Sequence, residues 1–288
     1  VGVDFELEHQ PGGTPSELVY VSGGSNDGDP DQSGVVYNEL AEPFVVEVRD
    51  AYGDPVSGTQ VYFQVVEPQT DGHMVNTSTF ILTDGDGRAS DTYVLGKLVG
   101  ENHVRAGATD VPGQFVELYA TGGPDAAAEI VPLGGSGQLG VAGQLLDDDL
   151  VVGVQDQWDN AVPDQLCTFA PSAGGADPSE GTTDALGQTQ TSWTLGTAMG
   201  EQTLDVDCGA AHHQFAATAD HGAADELVIA GGDDQTGINT TTLSNPLVVE
   251  ARDQHGNPVD GVEVSFAVTS GSGTLAPSAP QITDADGL

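Results

Sequence analysis

Two cysteines, Cys167 and Cys208, offer the clearest covalent chemistry in this sequence. Both occupy apolar positions of alternating strand patterns, so both side chains are predicted to point into the core of one β-sandwich. A disulfide between them would close a loop of about 41 residues and contribute on the order of 4 kcal/mol in the chain-entropy model. The alternative is a pair of buried thiols that pack as small apolar side chains.

An acidic loop is the second candidate site, with carboxylates at Asp27, Asp29 and Asp31. Alternating oxygen ligands in a loop that contains glycine resemble the first half of a calcium-binding loop. Pro30 and the lack of a distal Glu set it apart from an EF-hand, and a solvated acidic loop is the alternative interpretation. The sequence requires no cofactor. Calcium is the ion that we expect to bind, and binding would raise the melting temperature.

The other polar motifs give weaker signals. Asn76 and Asn239 each begin an Asn-x-Ser/Thr sequence, the acceptor for N-linked glycans in an exported protein. The histidine cluster at 212, 213 and 221 is predicted to lie in exposed turns rather than to bind a metal. No Gly-x-Ser-x-Gly, His-Glu-x-x-His or phosphate-loop motif occurs, so the sequence does not predict an enzyme. Trp158 and Trp193 are predicted to pack in turns or cores rather than to bind sugars.

A repeated stretch organises the chain and must position these residues. Its best copy is Pro43–Gly58, and the aspartates Asp50, Asp156 and Asp253 mark the three copies. Alternating apolar residues before each aspartate predict a strand with one buried face. Asp, Gly, Asn and Pro after it predict a tight turn, and a second alternating strand follows.

A second landmark, Thr-Asp-x-x-Gly, begins at Thr83, Thr183 and Thr283. Asp at the first position of this turn and Gly at the fourth position are typical of a type I turn. In the first two copies, the next strand contains Tyr93-x-Leu-Gly or Trp193-x-Leu-Gly. About seven short strands per hundred residues, separated by such turns, predict an all-β fold of β-sandwiches.

Together these landmarks resemble the bacterial immunoglobulin-like domains of group one, which build the stalks of invasin- and intimin-type adhesins. The resemblance covers nearly the whole chain, and repeat two departs from it most, with Asp159-Asn-Ala-Val162 in its turn. It implies tandem immunoglobulin-like β-sandwich repeats in a linear array. The predicted limits are 1–10 for the last strand of a preceding repeat, 11–122 for repeat one, 123–220 for repeat two and 221–288 for an incomplete repeat three.

The resemblance implies a structural stalk or fibre segment of a secreted or cell-surface adhesin, with neighbouring repeats of the same chain as its partners. One alternative is a subunit of an extracellular filament, in which copies of the chain associate with each other. The other is a set of carbohydrate-binding modules of a secreted enzyme. We also expect the sequence to be a window from a longer repeat protein. The less favoured expectation is that the first strand of one chain completes repeat three of another chain.

The charge limits the partners further. Against 45 Asp and Glu residues stand five Lys and Arg residues, which gives a formal net charge of −40. Such a surface repels nucleic acid and anionic lipid, and it tolerates high salt because self-repulsion is then screened. No run of 18 apolar residues occurs, so this segment is not predicted to insert into a membrane. We therefore expect an extracellular or cell-surface protein.

Overall fold

The computed structural model describes residues 13–24, 32–66 and 71–288. These residues form β-strands, turns and irregular segments, and none of them lies in a helix. Accordingly, no helix in the described ranges is long and apolar enough to cross a membrane. The predicted all-β fold class is confirmed. The acidic loop at Asp27, Asp29 and Asp31 lies outside the described residues, as does the strand predicted over residues 1–10.

Two compact units make up the chain. The described residues up to Ala126 form the first unit together with Asp156–Val162, and the second unit contains Ala127–Gln155 and Pro163–Leu288. The repeat limits at 11–122, 123–220 and 221–288 stay a prediction.

The first unit contains a three-stranded and a five-stranded sheet, with strands numbered in chain order. The smaller sheet has the order β1 (Pro15–Ser22), β3 (Phe44–Asp50) and β7 (Arg88–Asp91). The larger sheet has the order β2 (Ser33–Val35), β10 (Phe115–Gly123), β9 (Gly100–Ala108), β4 (Gln60–Val66) and β6 (Ile81–Leu82). A short separate pair joins β5 (His73–Met74) to β8 (Tyr93–Val94).

Alternation along β3 builds the core between these two sheets. Phe44, Val46 and Val48 are buried, as predicted, and belong to one apolar cluster with Val104 and Leu118 of the larger sheet. The pattern has one departure, because Glu47 on the outer face is only 8% exposed. The guanidinium groups of Arg49 and Arg88 cover it, with Nε to carboxylate distances of 2.8 and 3.5 Å.

The second unit repeats this architecture. Its four-stranded sheet has the order β11 (Glu129–Gly134), β13 (Leu150–Gln155), β17 (Gln188–Thr194) and β15 (Gly175–Asp177). Its five-stranded sheet has the order β12 (Gln138–Val141), β19 (Ala211–Asp220), β18 (Gly200–Cys208), β14 (Leu166–Pro171) and β16 (Glu180–Thr182). Two further pairs follow, β20 (Ala224–Gly231) with β21 (Val248–Asp253) and β22 (Glu263–Val264) with β23 (Gln281–Ile282).

The Thr-Asp-x-x-Gly landmark forms the predicted turn. Oδ1 of Asp84 accepts hydrogen bonds from the amides of Asp86 and Arg88, both at 2.9 Å, and Gly87 closes the turn with a φ of 70°. Asp184 and Asp284 accept the same pair of amide bonds in their own turns. These first-position aspartates therefore stabilise turns, which accounts for their recurrence without a bound ion.

Cys167 and Cys208 form a disulfide in the second unit, with an S–S distance of 2.05 Å. They are directly opposed on the adjacent antiparallel strands β14 and β18, and both are fully buried. The bridge therefore lies within one sheet, whereas the conserved bridge of antibody immunoglobulin domains joins the two sheets of the sandwich. Val61 and Ala108 occupy the corresponding opposed pair of the first unit, so the sandwich also accommodates an apolar pair at this place.

Replacing both cysteines, as Cys167→Val/Cys208→Ala, reproduces the apolar pair of the first unit. We expect this variant to fold and to lose about 2–4 kcal/mol of unfolding free energy, because its unfolded chain is no longer cross-linked. Urea unfolding followed by the fluorescence of Trp193, with Trp158→Phe in both proteins, measures the difference.

As a control, the parent protein and the variant are both unfolded with and without a thiol reductant. The reductant should lower the unfolding free energy of the parent protein only, because the variant has no disulfide. Mass spectrometry of the unreduced parent should show two hydrogens fewer than the reduced form. Equal unfolding free energies for parent and variant under oxidising conditions would contradict a stabilising bridge.

Candidate functional site

The turn after each strand of the repeated stretch is built around a buried aspartate. Oδ1 of Asp156 accepts hydrogen bonds from the amides of Trp158 at 2.8 Å and Asn160 at 3.0 Å. Asp50 and Asp253 receive the same two bonds, from the second and fourth residues after them. This local bonding explains why the aspartate recurs: its side chain replaces the strand ladder where the chain reverses.

The second carboxylate oxygen reaches beyond the turn. Oδ2 of Asp156 accepts the amide of Asp125 at 3.0 Å and the side-chain amide of Asn160 at 2.9 Å. Oδ2 of Asp253 likewise accepts the amide of Gly222 and the side-chain amide of Asn257, both at 2.9 Å. Asp125 lies in the segment that leads into strand β11, and Gly222 lies in the segment that leads into strand β20. Each carboxylate therefore ties its own turn to the incoming segment of chain.

These hydrogen bonds determine the ionisation of the two aspartates. Asp156 and Asp253 are each 2% exposed, and burial by itself would raise their pKa values. The bonds from the asparagine side chains, and then from the backbone amides, outweigh burial and hold the pKa of both groups below the ordinary value. Both aspartates are therefore charged at neutral pH, and the charge strengthens each bond that they accept.

The asparagine of each turn also binds a distant stretch of backbone. Nδ2 of Asn160 donates to the carbonyl of Lys97 at 2.8 Å, and Oδ1 accepts the amide of Val99 at 3.0 Å, all within the first unit. Within the second unit, Nδ2 of Asn257 donates to the carbonyl of Thr197 at 2.9 Å, and the amide of Met199 lies 3.4 Å from its Oδ1. We call each set of one aspartate, one asparagine and their backbone partners an Asp–Asn clamp.

Sequence reasoning identified the aspartates but missed the asparagines and the stretches they bind. Those stretches, 97–99 and 197–199, directly follow the Leu-Gly landmark. The sequence did contain a signal for these asparagines, because Asn160 and Asn257 each lie four residues after the aspartate of their turn. Repeat one has Asp54 at this position, so its side chain cannot donate an amide hydrogen bond.

The first clamp is reinforced by the only lysine of the chain. Nζ of Lys97 lies 5.0 Å from the ring centroid of Tyr37 and 4.7 Å from that of Trp158. The two rings are themselves 5.1 Å apart and tilted, so the ammonium contacts two aromatic faces. Nε1 of Trp158 is buried with no hydrogen-bond partner among the described residues. Trp158 thus contributes ring contacts to the turn, which agrees with the packing role predicted for it.

The second clamp carries a histidine instead. His221 Nδ1 lies 2.8 Å from the carbonyl oxygen of Gly222, and Nε2 lies 2.8 Å from Oδ1 of Asp260. These two hydrogen bonds, with the nearby charges of Asp220 and Asp260, raise the pKa of His221. At the first clamp the corresponding sequence positions are Pro124 and Pro163, which do not titrate.

The remaining predicted sites are placed as follows. Among the described residues, there is no group of three or more His, Cys, Asp or Glu side chains that could hold a metal ion. The acidic loop at residues 27–31 lies outside the described residues, so calcium binding there stays a prediction. Asn76 and Asn239 are both exposed, and glycosylation there is likewise untested. The turn position predicted for His212 and His213 is wrong, because both lie in strand β19, where Nδ1 of His212 lies 2.8 Å from Asp207. Trp193 is buried, at the position of Tyr93 in the first unit.

No family model matches the chain. Among solved structures, FdeC, an Escherichia coli adhesin, is similar with a TM-score of 0.50 at 20% identity, over 80% of this chain and 73% of its own. InvD of Yersinia pseudotuberculosis has a TM-score of 0.43 at 17% identity, over 80% and 70%. Invasin, a bacterial integrin-binding protein, has a TM-score of 0.38 at 16% identity, over 84% and 48%. The likeness to FdeC shows a shared fold, of the class that the sequence landmarks predicted.

We expect Asn160→Ala to open the first clamp. The substitution removes the donor to Asp156 and Lys97 and the acceptor for Val99, so the free energy of unfolding should fall by about 1.5–3 kcal/mol. Hydrogen exchange of the Val99 amide should accelerate by at least about tenfold, because this amide loses its acceptor. Urea unfolding and amide exchange followed by NMR measure the two effects.

Gln157→Ala is the matched control on the same turn. Its exposed side chain donates only to Asp125 among the described contacts, at 2.8 Å, and its loss should leave Val99 exchange unchanged. If Val99 were equally protected in Asn160→Ala, the clamp would not hold that segment.

Raising the pH should weaken the second clamp. The folded-state pKa of His221 lies above its ordinary value of 6.5, so the protonated ring stabilises the fold fully below about pH 6.5. This contribution is lost as pH rises through the folded-state pKa. The ring titration followed by NMR should have a midpoint above 6.5, and Asp260→Asn should shift it downward. A midpoint below 6.5 in the parent protein would refute the assignment.

Proposed function

We propose that this chain is a stalk segment of a bacterial cell-surface adhesin built from tandem immunoglobulin-like repeats. The observation that carries the proposal is the recurrence of the Asp–Asn clamp at Asp156 and Asp253 with the same set of bonds. A repeated sandwich with a repeated clamp is what a load-bearing array requires, because each repeat then joins its neighbour in the same way.

The contacts of the clamp suit a mechanical role. At the second clamp, Asp253 holds the linker through the amide of Gly222, while Asn257 holds residues 197 and 199 of the preceding repeat. Displacing the linker would leave a buried, charged carboxylate without one of its donors, which is energetically costly. We infer that the clamps restrict bending where one repeat meets the next.

The net charge of the chain and its likeness to FdeC both support the stalk proposal. A net charge of −40 keeps neighbouring chains apart by mutual repulsion, which favours separate stalks over lateral bundles. FdeC, which shares the fold, is described as an adhesin. The adhesin role of the present chain is our proposal from these observations.

Electron microscopy and small-angle scattering of the purified chain test the proposal. We expect isolated rods whose maximum dimension is independent of protein concentration. The double variant Asn160→Ala/Asn257→Ala should give a broader distribution of particle lengths and bend angles, because both clamps are open. Gln157→Ala/Gln254→Ala, with two exposed turn residues changed, is the control and should match the parent protein.

Two outcomes would overturn the stalk assignment. Periodic fibres in place of isolated rods would favour the filament. A bend-angle distribution unaffected by the double asparagine variant would show that the clamps bear no load.

A further inference from the structure

The outer face of the five-stranded sheet in the first unit carries an unusual group of side chains. Alternation along β4, β9 and β10 turns every second residue away from the core. Several of these outward residues are aromatic or basic in a chain that is strongly acidic. We call this group the aromatic face; it consists of Tyr62, His103, Arg105, Phe115 and Tyr119 on these strands, together with Phe80, which directly precedes β6 and contacts the Tyr62 ring.

One row of the aromatic face crosses three strands in register. Phe115 of β10 opposes Gly107 of β9, and Gly107 opposes Tyr62 of β4. A Cβ atom added at Gly107 would lie 2.4 Å from the Tyr62 ring, so this ring lies across the glycine. The ring of Tyr62 therefore covers the backbone of the neighbouring strand β9 at Gly107, and the residue is half-buried.

The neighbouring rings border this flat surface. The Phe80 ring stands at 79° to the Tyr62 ring with the centroids 6.5 Å apart, and it forms one side. Phe115 borders the other side, two strands away or about 10 Å, with the Arg105 guanidinium 5.0 Å from its ring centroid. Phe80 and Phe115 are 41% and 47% exposed, so both rings are accessible. We call the area over the Tyr62 ring, between Phe80 and Phe115, the trough.

The next row along the strands consists of polar side chains that end in planar groups: a carboxylate, a guanidinium and an amide. Glu117 accepts a hydrogen bond from Nε of Arg105 at 2.8 Å, and its other oxygen lies 2.6 Å from Nε2 of His103. Gln64 opposes Arg105 from β4 and is exposed. A guanidinium has five N–H donors and a side-chain amide has two, so this row offers donors and acceptors at the edge of the trough.

The corresponding face of the second unit shows that the fold does not need these residues. There the row that matches Phe115, Gly107 and Tyr62 reads His212, Asp207 and Thr168. The row that matches Glu117, Arg105 and Gln64 reads Gln214, Asp205 and Ala170. Cross-strand aromatic pairs stabilise a sheet only modestly, and the second unit forms the same five-stranded sheet without them.

The charges exclude anionic ligands. Glu117 neutralises Arg105, so the trough itself is close to neutral, while the whole chain carries −40 and repels anions. An uncharged ligand with one flat apolar face and several hydroxyl groups matches both rows. A pyranose ring has this chemistry: its C–H groups stack on the negative face of an aromatic ring, and its hydroxyls bond to planar polar side chains.

We propose that the aromatic face binds an uncharged glycan, with one pyranose ring stacked on Tyr62 between Phe80 and Phe115 and its hydroxyl groups directed to Arg105, Glu117 and Gln64. The site depends on the first unit alone, and it stands whether or not the chain serves as an adhesin stalk.

The test is an NMR titration of the full chain with four neutral oligosaccharides: cellohexaose, laminarihexaose, xylohexaose and mannohexaose. We expect saturable shifts of the Gly107 amide and its neighbours with at least one of them at millimolar concentration. Tyr62→Ala should weaken that binding by about tenfold or more, because the stacking surface is lost. Binding should change less than about twofold between 0.1 M and 1 M NaCl, since the ligand carries no charge.

Two matched variants serve as controls. Tyr52→Ala removes a tyrosine of the same unit that is 84% exposed and lies in the Asp50 turn, away from the face. Thr168→Ala changes the position equivalent to Tyr62 in the second unit. Both should bind as the parent does, and an unchanged urea transition for Tyr62→Ala would show that its fold is intact.

Three results would overturn the proposal: no saturable shift with any of the four oligosaccharides, binding that Tyr62→Ala leaves unchanged, or shifts confined to residues outside the aromatic face. Concentration-dependent shifts at the same residues without any sugar would instead assign the face to contact between two copies of the chain, and would equally overturn it.

Discussion

A buried, charged aspartate at the end of a strand is the constraint on which the rest of this structure depends. Removing a carboxylate from water costs several kcal/mol unless hydrogen bonds replace the lost solvation. At Asp156 and Asp253 the replacements come from three sources: the following turn, the incoming linker and an asparagine side chain. The same asparagine binds the backbone of an earlier segment. The solvation requirement of one carboxylate therefore fixes the positions of several distant pieces of chain at once.

The positively charged side chains of the molecule are also held by specific contacts. All five Lys and Arg residues have a specific partner in the described structure. Arg49 and Arg88 cover Glu47, Arg105 binds Glu117, Arg252 binds Glu250, and Lys97 lies between the rings of Tyr37 and Trp158. The rest of the surface is left to carboxylates. The net negative charge makes separate chains repel each other, and the few cations act as local connectors within each unit.

The two five-stranded sheets show how one core supports different surfaces. Inward positions keep their apolar character, and even the opposed pair Val61 and Ala108 is replaced by a disulfide of Cys167 and Cys208 without a change of register. Outward positions vary freely, from the rings around Tyr62 to the acids and glutamine around Asp205. Burial constrains the first set, whereas the second set is constrained mainly by contacts between neighbouring side chains on the sheet surface. Differences in function between repeats are therefore expected on the outer faces.

Local patterns in the sequence determined the strands, the turns and the sandwich fold, because alternation and turn chemistry act over a few residues. Phe44, Val46 and Val48 point inward for that reason, and Asp84 and Gly87 form a turn for the same reason. Only the tertiary structure decided that Asn160 binds Lys97 and Val99, that the cysteines are opposed within one sheet, and that Tyr62 lies over Gly107. Each of these contacts joins segments far apart in the chain, and their distances depend on sheet order and register, which no short-range pattern encodes.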